Sequence, residues 1–68
     1  MKFPDKLQYL RIKKGLTAEE LAELTNVTPA AISYYENGKR KPHINTLNQL
    51  AKVLDVTPEE LITETTTE

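Results

Sequence analysis

Helix-start signals built on threonine divide this chain into short segments. Thr17-Ala18-Glu19-Glu20 is a capping box, in which the threonine hydroxyl accepts from the amide three residues on and the glutamate reaches back. Thr28-Pro29 places an N-cap residue before a proline at the favoured first helical position. Thr57-Pro58-Glu59-Glu60 combines both signals. The sequence therefore predicts short helices that meet at tight turns.

Apolar side chains recur at intervals of three and four along almost the whole chain, which predicts an all-α, compact five-helix bundle. The first helix begins with Pro4 and ends at Lys13-Lys14, before Gly15. The predicted ranges of the other helices are about 18–24, Pro29 to about Asn37 with a stop at Gly38, about 44–54, and 58–62. The cap of the fourth helix stays open between His43 and Asn45. In the second helix, the residues expected to face inward are Leu21, Ala22 and Leu24.

Charge is divided unevenly along the chain. All nine lysines and arginines precede residue 53 and are accompanied there by five acidic residues, whereas the other five acidic residues follow Val53. The formal net charge of −1 therefore hides a basic region of net charge +4. No apolar run reaches the length of a membrane span or a signal-peptide core, so we expect a cytoplasmic protein with no membrane partner. We expect one domain at residues 1–62 and a polar, acidic tail at 63–68.

The second and third helices, with the basic segment 39–42 beyond them, have the parts of a helix-turn-helix. At 100° per residue, the third helix turns Ile32, Tyr35 and Ala31 inward. Its outer stripe carries no acidic residue and consists of Ala30, Ser33, Tyr34 and Asn37. Glu36 is the exception in this helix, and it needs a partner if it lies near the core. The pattern predicts a central helix-turn-helix whose third helix fits a DNA major groove.

From Leu7 to Ile62 the chain resembles the phage repressor and Cro type helix-turn-helix family. The matching residues include Leu10-Arg11, Lys14-Gly15-Leu16-Thr17, Glu20-Leu21-Ala22, Ile32-Ser33, Glu36-Asn37-Gly38-Lys39, Pro42, Leu50-Ala51 and Leu61. The resemblance implies a lambda-repressor-like fold and a sequence-specific transcription regulator, in the expected case a repressor. It also implies operator DNA, which is double-stranded, as the partner and a homodimer as the binding form.

The resemblance also implies roles for individual residues. The positions that would face base edges are Thr28, Pro29, Ala30, Ser33 and Tyr34. The positions that would lie along a phosphate strand are Asn37, Lys39 and Arg40. Arg11 and Glu36 match a structural salt bridge, which agrees with the rule that a carboxylate near a packed face needs a partner.

The chain departs from the family at Ala18, where family members often have a glutamine whose amide contacts phosphate. Its groove-facing set also lacks the strong arginine-to-guanine and glutamine-to-adenine pairings. Direct readout would use thymine methyl groups against Pro29 and Ala30, with polar contacts from Ser33 and Tyr34. More of the specificity would come from DNA shape.

Catalytic and metal chemistry find no support in the residues. His43 is the only histidine, cysteine is absent, and neither a glycine-rich phosphate loop nor metal-spaced carboxylates occur. We expect a protein that is not an enzyme and has no metal, cofactor or small-molecule ligand. The candidate dimer interface is the final helix and the tail region, including Val53, Val56, Leu61 and Ile62.

Two alternatives to an independent repressor stay open. In one, the same fold is a protein-interaction module, antitoxin-like or an adaptor, that uses Tyr34 and the apolar surface of the third helix. In the other, the chain is the DNA-binding part of a longer sensor protein, with residues 63–68 as the start of a linker.

Overall fold

A computed structural model describes residues 2–62. The predicted polar tail at 63–68 lies outside these described residues. Five helices follow one another, and the described part contains no strand: α1 (Phe3–Lys13), α2 (Ala18–Thr25), α3 (Pro29–Glu36), α4 (Ile44–Leu54) and α5 (Pro58–Ile62). The predicted all-α, five-helix class is confirmed. None of these helices is long and apolar enough to cross a membrane.

The predicted start signals act where the sequence places them. The Thr17 hydroxyl accepts from the Glu20 amide at 3.0 Å, while the Glu20 carboxylate accepts from the Thr17 amide at 2.8 Å. The same reciprocal pair joins Thr57 and Glu60 at the start of α5. The fourth helix begins at Ile44 with His43 in the cap position, and no side chain there bonds the first turn. The starts of α2, α3 and α5 are therefore where the sequence predicted them, α1 begins one residue before Pro4, and the open cap of α4 falls at His43.

One core joins all five helices. α2 packs on α3 and α4, while α1 packs on α3 and α5, and α5 also packs on α4. The buried apolar residues are Leu7, Leu21, Ala22, Ile32, Tyr35, Leu47, Leu50, Ala51, Leu54 and Leu61. α3 contributes Ile32 and Tyr35 to this set, and Ala31 is partly buried beside them, so the opposite side of α3 is left toward solvent.

The prediction that Leu24 faces inward is wrong, because its side chain is 56% exposed. Thr25 is buried in its place, and its hydroxyl donates to the Leu21 carbonyl at 2.7 Å. Leu21, Ala22 and Thr25 share one arc, and Leu24 lies about 100° of helix rotation from the centre of that arc. The neighbours of α2 cover only this arc, so Leu24 stays outside it.

The predicted interface set is also corrected at Leu61, which is fully buried within the chain and has no surface to offer a partner. Leu61 is where α5 enters the core, against α4 and α1. Its neighbour Ile62 is 50% exposed, and Val53 and Val56 are partly buried against the core. The apolar surface left near α5 is therefore smaller than the sequence suggested.

Candidate nucleic-acid interface

The corner between α2 and α3 is held by backbone conformation and a threonine cap. Asn26 ends α2 in the left-handed conformation at φ 60°, and the Val27 amide donates back to the Ala22 carbonyl at 3.0 Å. Two residues later, the Thr28 hydroxyl accepts from the Ala31 amide at 3.1 Å and starts α3. Because the turn is only residues 26–28, the direction of α3 follows directly from that of α2.

The outer stripe of α3 is uncovered by the rest of the described chain. Ile32 is fully buried and Tyr35 is 7% exposed, so these two side chains anchor the helix. Tyr34 is 42% exposed. All of the proposed base-facing residues are exposed: Thr28, Pro29, Ala30, Ser33 and Tyr34. The geometry thus presents one side of α3 to a partner while the opposite side is fixed in the core.

Glu36, the single acid of α3, is turned away from this stripe and paired with Arg11 of α1. Arg11 Nε lies 2.6 Å from Glu36 Oε2, and Arg11 Nη2 lies 3.2 Å from Glu36 Oε1. The third nitrogen of Arg11, Nη1, donates to the Leu16 carbonyl at 2.9 Å. The two side chains are only 14% and 9% exposed. The pair ties α1, the α1–α2 turn and the end of α3 together, and it removes an unpaired negative charge from the helix that would face DNA.

The basic segment 39–42, which we call the basic connector, is folded back along α3 by a glycine turn. Gly38 has φ 73°, its amide donates to the Tyr35 carbonyl at 3.3 Å, and the Lys39 amide donates to the Tyr34 carbonyl at 2.9 Å. These two bonds form a Schellman motif, in which the left-handed residue reverses the chain. After this reversal the guanidinium carbon of Arg40 lies 5.0 Å from the centroid of the Tyr34 ring. The outer stripe of α3 and the basic connector are therefore one continuous surface.

Two side-chain contacts on this surface were not predicted from the sequence. The Asn37 amide nitrogen donates to the Ser33 hydroxyl at 3.2 Å, which joins a residue expected on phosphate to one expected on a base. The Arg40–Tyr34 stack likewise joins the two predicted classes. A glycine predicted the helix end, but only the three-dimensional turn brings residue 40 over residue 34. Lys39 and Lys41 are exposed beside them.

The described residues contain no group of three or more histidine, cysteine, aspartate or glutamate side chains arranged to hold a metal ion. His43, the single histidine, is exposed and precedes α4.

Comparisons with known proteins match this geometry. Residues 7–61 match the model of the helix-turn-helix family. The chain is 45% identical over 62 residues to the HTH-type transcriptional activator BcrR of Enterococcus faecalis. This match covers 91% of this chain and 30% of BcrR. The chain therefore spans less than a third of the length of BcrR.

Solved structures share both sequence and shape with it. The restriction-modification controller protein C.AhdI from Aeromonas hydrophila is 35% identical with a TM-score of 0.83, covering 88% of this chain and 91% of the controller. SinR, a master regulator for biofilm formation solved in complex with DNA, is 30% identical with a TM-score of 0.82, covering 87% of this chain and 95% of that one.

Proposed function

Because the chain belongs to the helix-turn-helix family of transcription regulators, we propose that it binds an operator with α3 in the major groove. Repression by operator occupancy is its proposed mode of action. One observation carries the proposal: the exposed, acid-free stripe of α3 continues into the basic connector. SinR, which is similar to this chain, was solved bound to DNA.

The proposed contacts divide into two classes. Base edges are met by Thr28, Pro29, Ala30, Ser33 and Tyr34, and phosphates by Asn37, Lys39 and Arg40. An α-helix with its side chains is about 10–12 Å across, and the major groove is about 12 Å wide, so α3 fits within it. Phosphate contacts supply most of the affinity through counterion release, which makes binding fall steeply with salt.

The distribution of charge supports the same orientation. The net positive region precedes residue 53, and the acidic residues from Asp55 onward lie toward α5 or in the tail at 63–68. A duplex attracts the first region and repels the second, so the approach of α3 is electrostatically favoured. We propose that residues 1–62 are the DNA-binding domain and that the protein acts in the cytoplasm, without a catalytic step.

We further propose that the binding form is a homodimer on two half-sites. Half-sites one helical turn apart are separated by roughly 34 Å. The domain measures 35 × 23 × 21 Å, so two copies side by side can place one α3 in each half-site. The exposed side chain of Ile62, with the partly buried Val53 and Val56, is the proposed contact between the copies.

A fluorescence anisotropy titration with DNA fragments at several salt concentrations tests the proposal. Binding should weaken with salt, and Lys39→Ala should weaken it on every sequence and lower the salt slope by about one. Lys52→Ala is the matched control, because it removes the same charge from the corner between α4 and α5. Absent or salt-insensitive DNA binding by the unsubstituted protein would favour a protein-interaction module and refute the proposed operator binding.

A further inference from the structure

The outer stripe of α3 is chemically weak for the recognition of bases. Pro29 and Ala30 have no side-chain donor or acceptor, and Ser33 offers a hydroxyl that already accepts from Asn37. Strong discrimination in the major groove comes from side chains that make two hydrogen bonds to one base edge. On the outer stripe, only the amide of Asn37, the residue that caps the end of α3, has this capacity, and it is partly engaged. A strong base contact must come from outside the helix.

Arg40 has the position and the chemistry to make that contact. The Schellman turn at Gly38 brings its guanidinium back over the Tyr34 ring, on the side that α3 presents to DNA. Stacking on an aromatic face orders the flat guanidinium and leaves the N–H groups at its edge free. Within residues 2–62, no carboxylate pairs with Arg40.

The geometry points to Arg40 as a base-reading residue. We propose that Arg40 donates two hydrogen bonds to O6 and N7 of a guanine, beside the base that Tyr34 meets. This inference rests on the proposed DNA-binding function, and it replaces the phosphate role given to Arg40 above. Lys39, which makes no ring contact among the described residues, keeps its phosphate role.

The stack explains why the two residues act together. The cost of ordering a long arginine side chain is met in the free protein, so less affinity is lost when the guanine is bound. The ring of Tyr34 is needed for this ordering and its hydroxyl is not. Arg40 would thus supply the guanine readout that α3 lacks.

Selection of bound duplexes from a random DNA pool tests the inference, followed by titrations on the selected site and on its single-base variants. The unsubstituted protein should prefer guanine at one position in each half-site by roughly tenfold to a hundredfold. Arg40→Lys keeps the charge and can still donate to guanine, but without the fixed fork, so it should weaken this preference while the salt slope is preserved. Arg40→Ala should abolish the preference. Tyr34→Phe keeps the ring and should keep the guanine preference.

Lys39→Ala is the matched control for Arg40→Ala, because each removes one exposed positive charge from the same connector. Lys39→Ala should weaken binding evenly and leave the preferred sequence unchanged. A guanine preference that survives in Arg40→Ala, or identical even losses in the two alanine variants, would show a phosphate contact and overturn the inference. Failure of the unsubstituted protein to bind any duplex would instead overturn the proposed function itself. Circular dichroism of each variant confirms that it is folded.

Discussion

Replacement of Arg11 by alanine should come close to unfolding the domain. The substitution leaves the Glu36 carboxylate, whose side chain is 9% exposed, without its two guanidinium hydrogen bonds. It also removes the donor to the Leu16 carbonyl. Breaking a buried pair from one side costs about 3–5 kcal/mol. A domain of 68 residues has a total free energy of unfolding of about 3–10 kcal/mol, so most of it can be lost.

Urea unfolding followed by far-UV circular dichroism measures this loss. With an m-value of about 1 kcal/mol/M for a small domain, the midpoint of Arg11→Ala should fall by about 3–5 M. The double variant Arg11→Met with Glu36→Leu is the control, since exchanging both charges for apolar side chains is often neutral. Its stability should recover most of the loss.

Two results would refute the reasoning. A midpoint for Arg11→Ala equal to that of the unsubstituted protein means that the pair contributes nothing. A double variant as unstable as Arg11→Ala means that the lost hydrogen bond to the Leu16 carbonyl, which both variants share, and not an unpaired carboxylate, is the cause. A double-mutant cycle that adds Glu36→Leu alone then measures the coupling between the two side chains.

Three further predictions concern stability, each measured by the same urea unfolding. Leu21→Ala should lower the free energy of unfolding by about 2–5 kcal/mol because Leu21 is fully buried. Leu24→Ala should lower it far less because Leu24 is 56% exposed. Equal losses of stability would contradict the inward arc assigned to α2. Gly38→Ala should lower the free energy of unfolding by about 1–2 kcal/mol because Gly38 has φ 73°. Gly38→Asn should lower it less, because asparagine tolerates the left-handed conformation. A larger loss in Gly38→Asn than in Gly38→Ala would argue against the left-handed turn. The backbone amide of Thr57, and then its hydroxyl, hold the pKa of Glu60 below its ordinary value. The stability that this carboxylate contributes should be present above the ordinary glutamate pKa and lost as the pH falls through the lowered pKa. Glu60→Gln should flatten that part of the pH profile, and an unchanged profile would show that Glu60 plays no part in it.

Local signals accounted for the helix starts and for the two faces of α3. The hydroxyl of a capping threonine meets an amide three residues away, so Thr17 and Thr28 act with partners that the sequence places beside them. The burial of Ile32 and Tyr35 follows from their spacing in α3 in the same way. The family resemblance added the pairing of Arg11 with Glu36, which lie 25 residues apart and form two hydrogen bonds in the structure.

Other features depend on what neighbouring elements cover. Leu24 has the same chemistry and nearly the same spacing as the buried residues of α2, yet it is exposed because α3 and α4 cover a different arc. Leu61 seemed free for a partner, but α1 and α4 enclose it. In a helix of only five to eight residues, apolar spacing fits more than one inward direction, and packing selects between them.

The sequence by itself determined where α2, α3 and α5 begin, where α3 ends and that basic charge follows it, because these depend on residues within one turn of each other. The tertiary structure decided that Arg40 lies over Tyr34 and that Asn37 binds Ser33. The first contact requires a chain reversal at Gly38, and the second depends on which side-chain rotamers α3 leaves free on its open face. Spacing places Ser33 and Asn37 four residues apart on one face, but it does not fix the rotamers that join them, and it does not encode the placement of Arg40 over Tyr34.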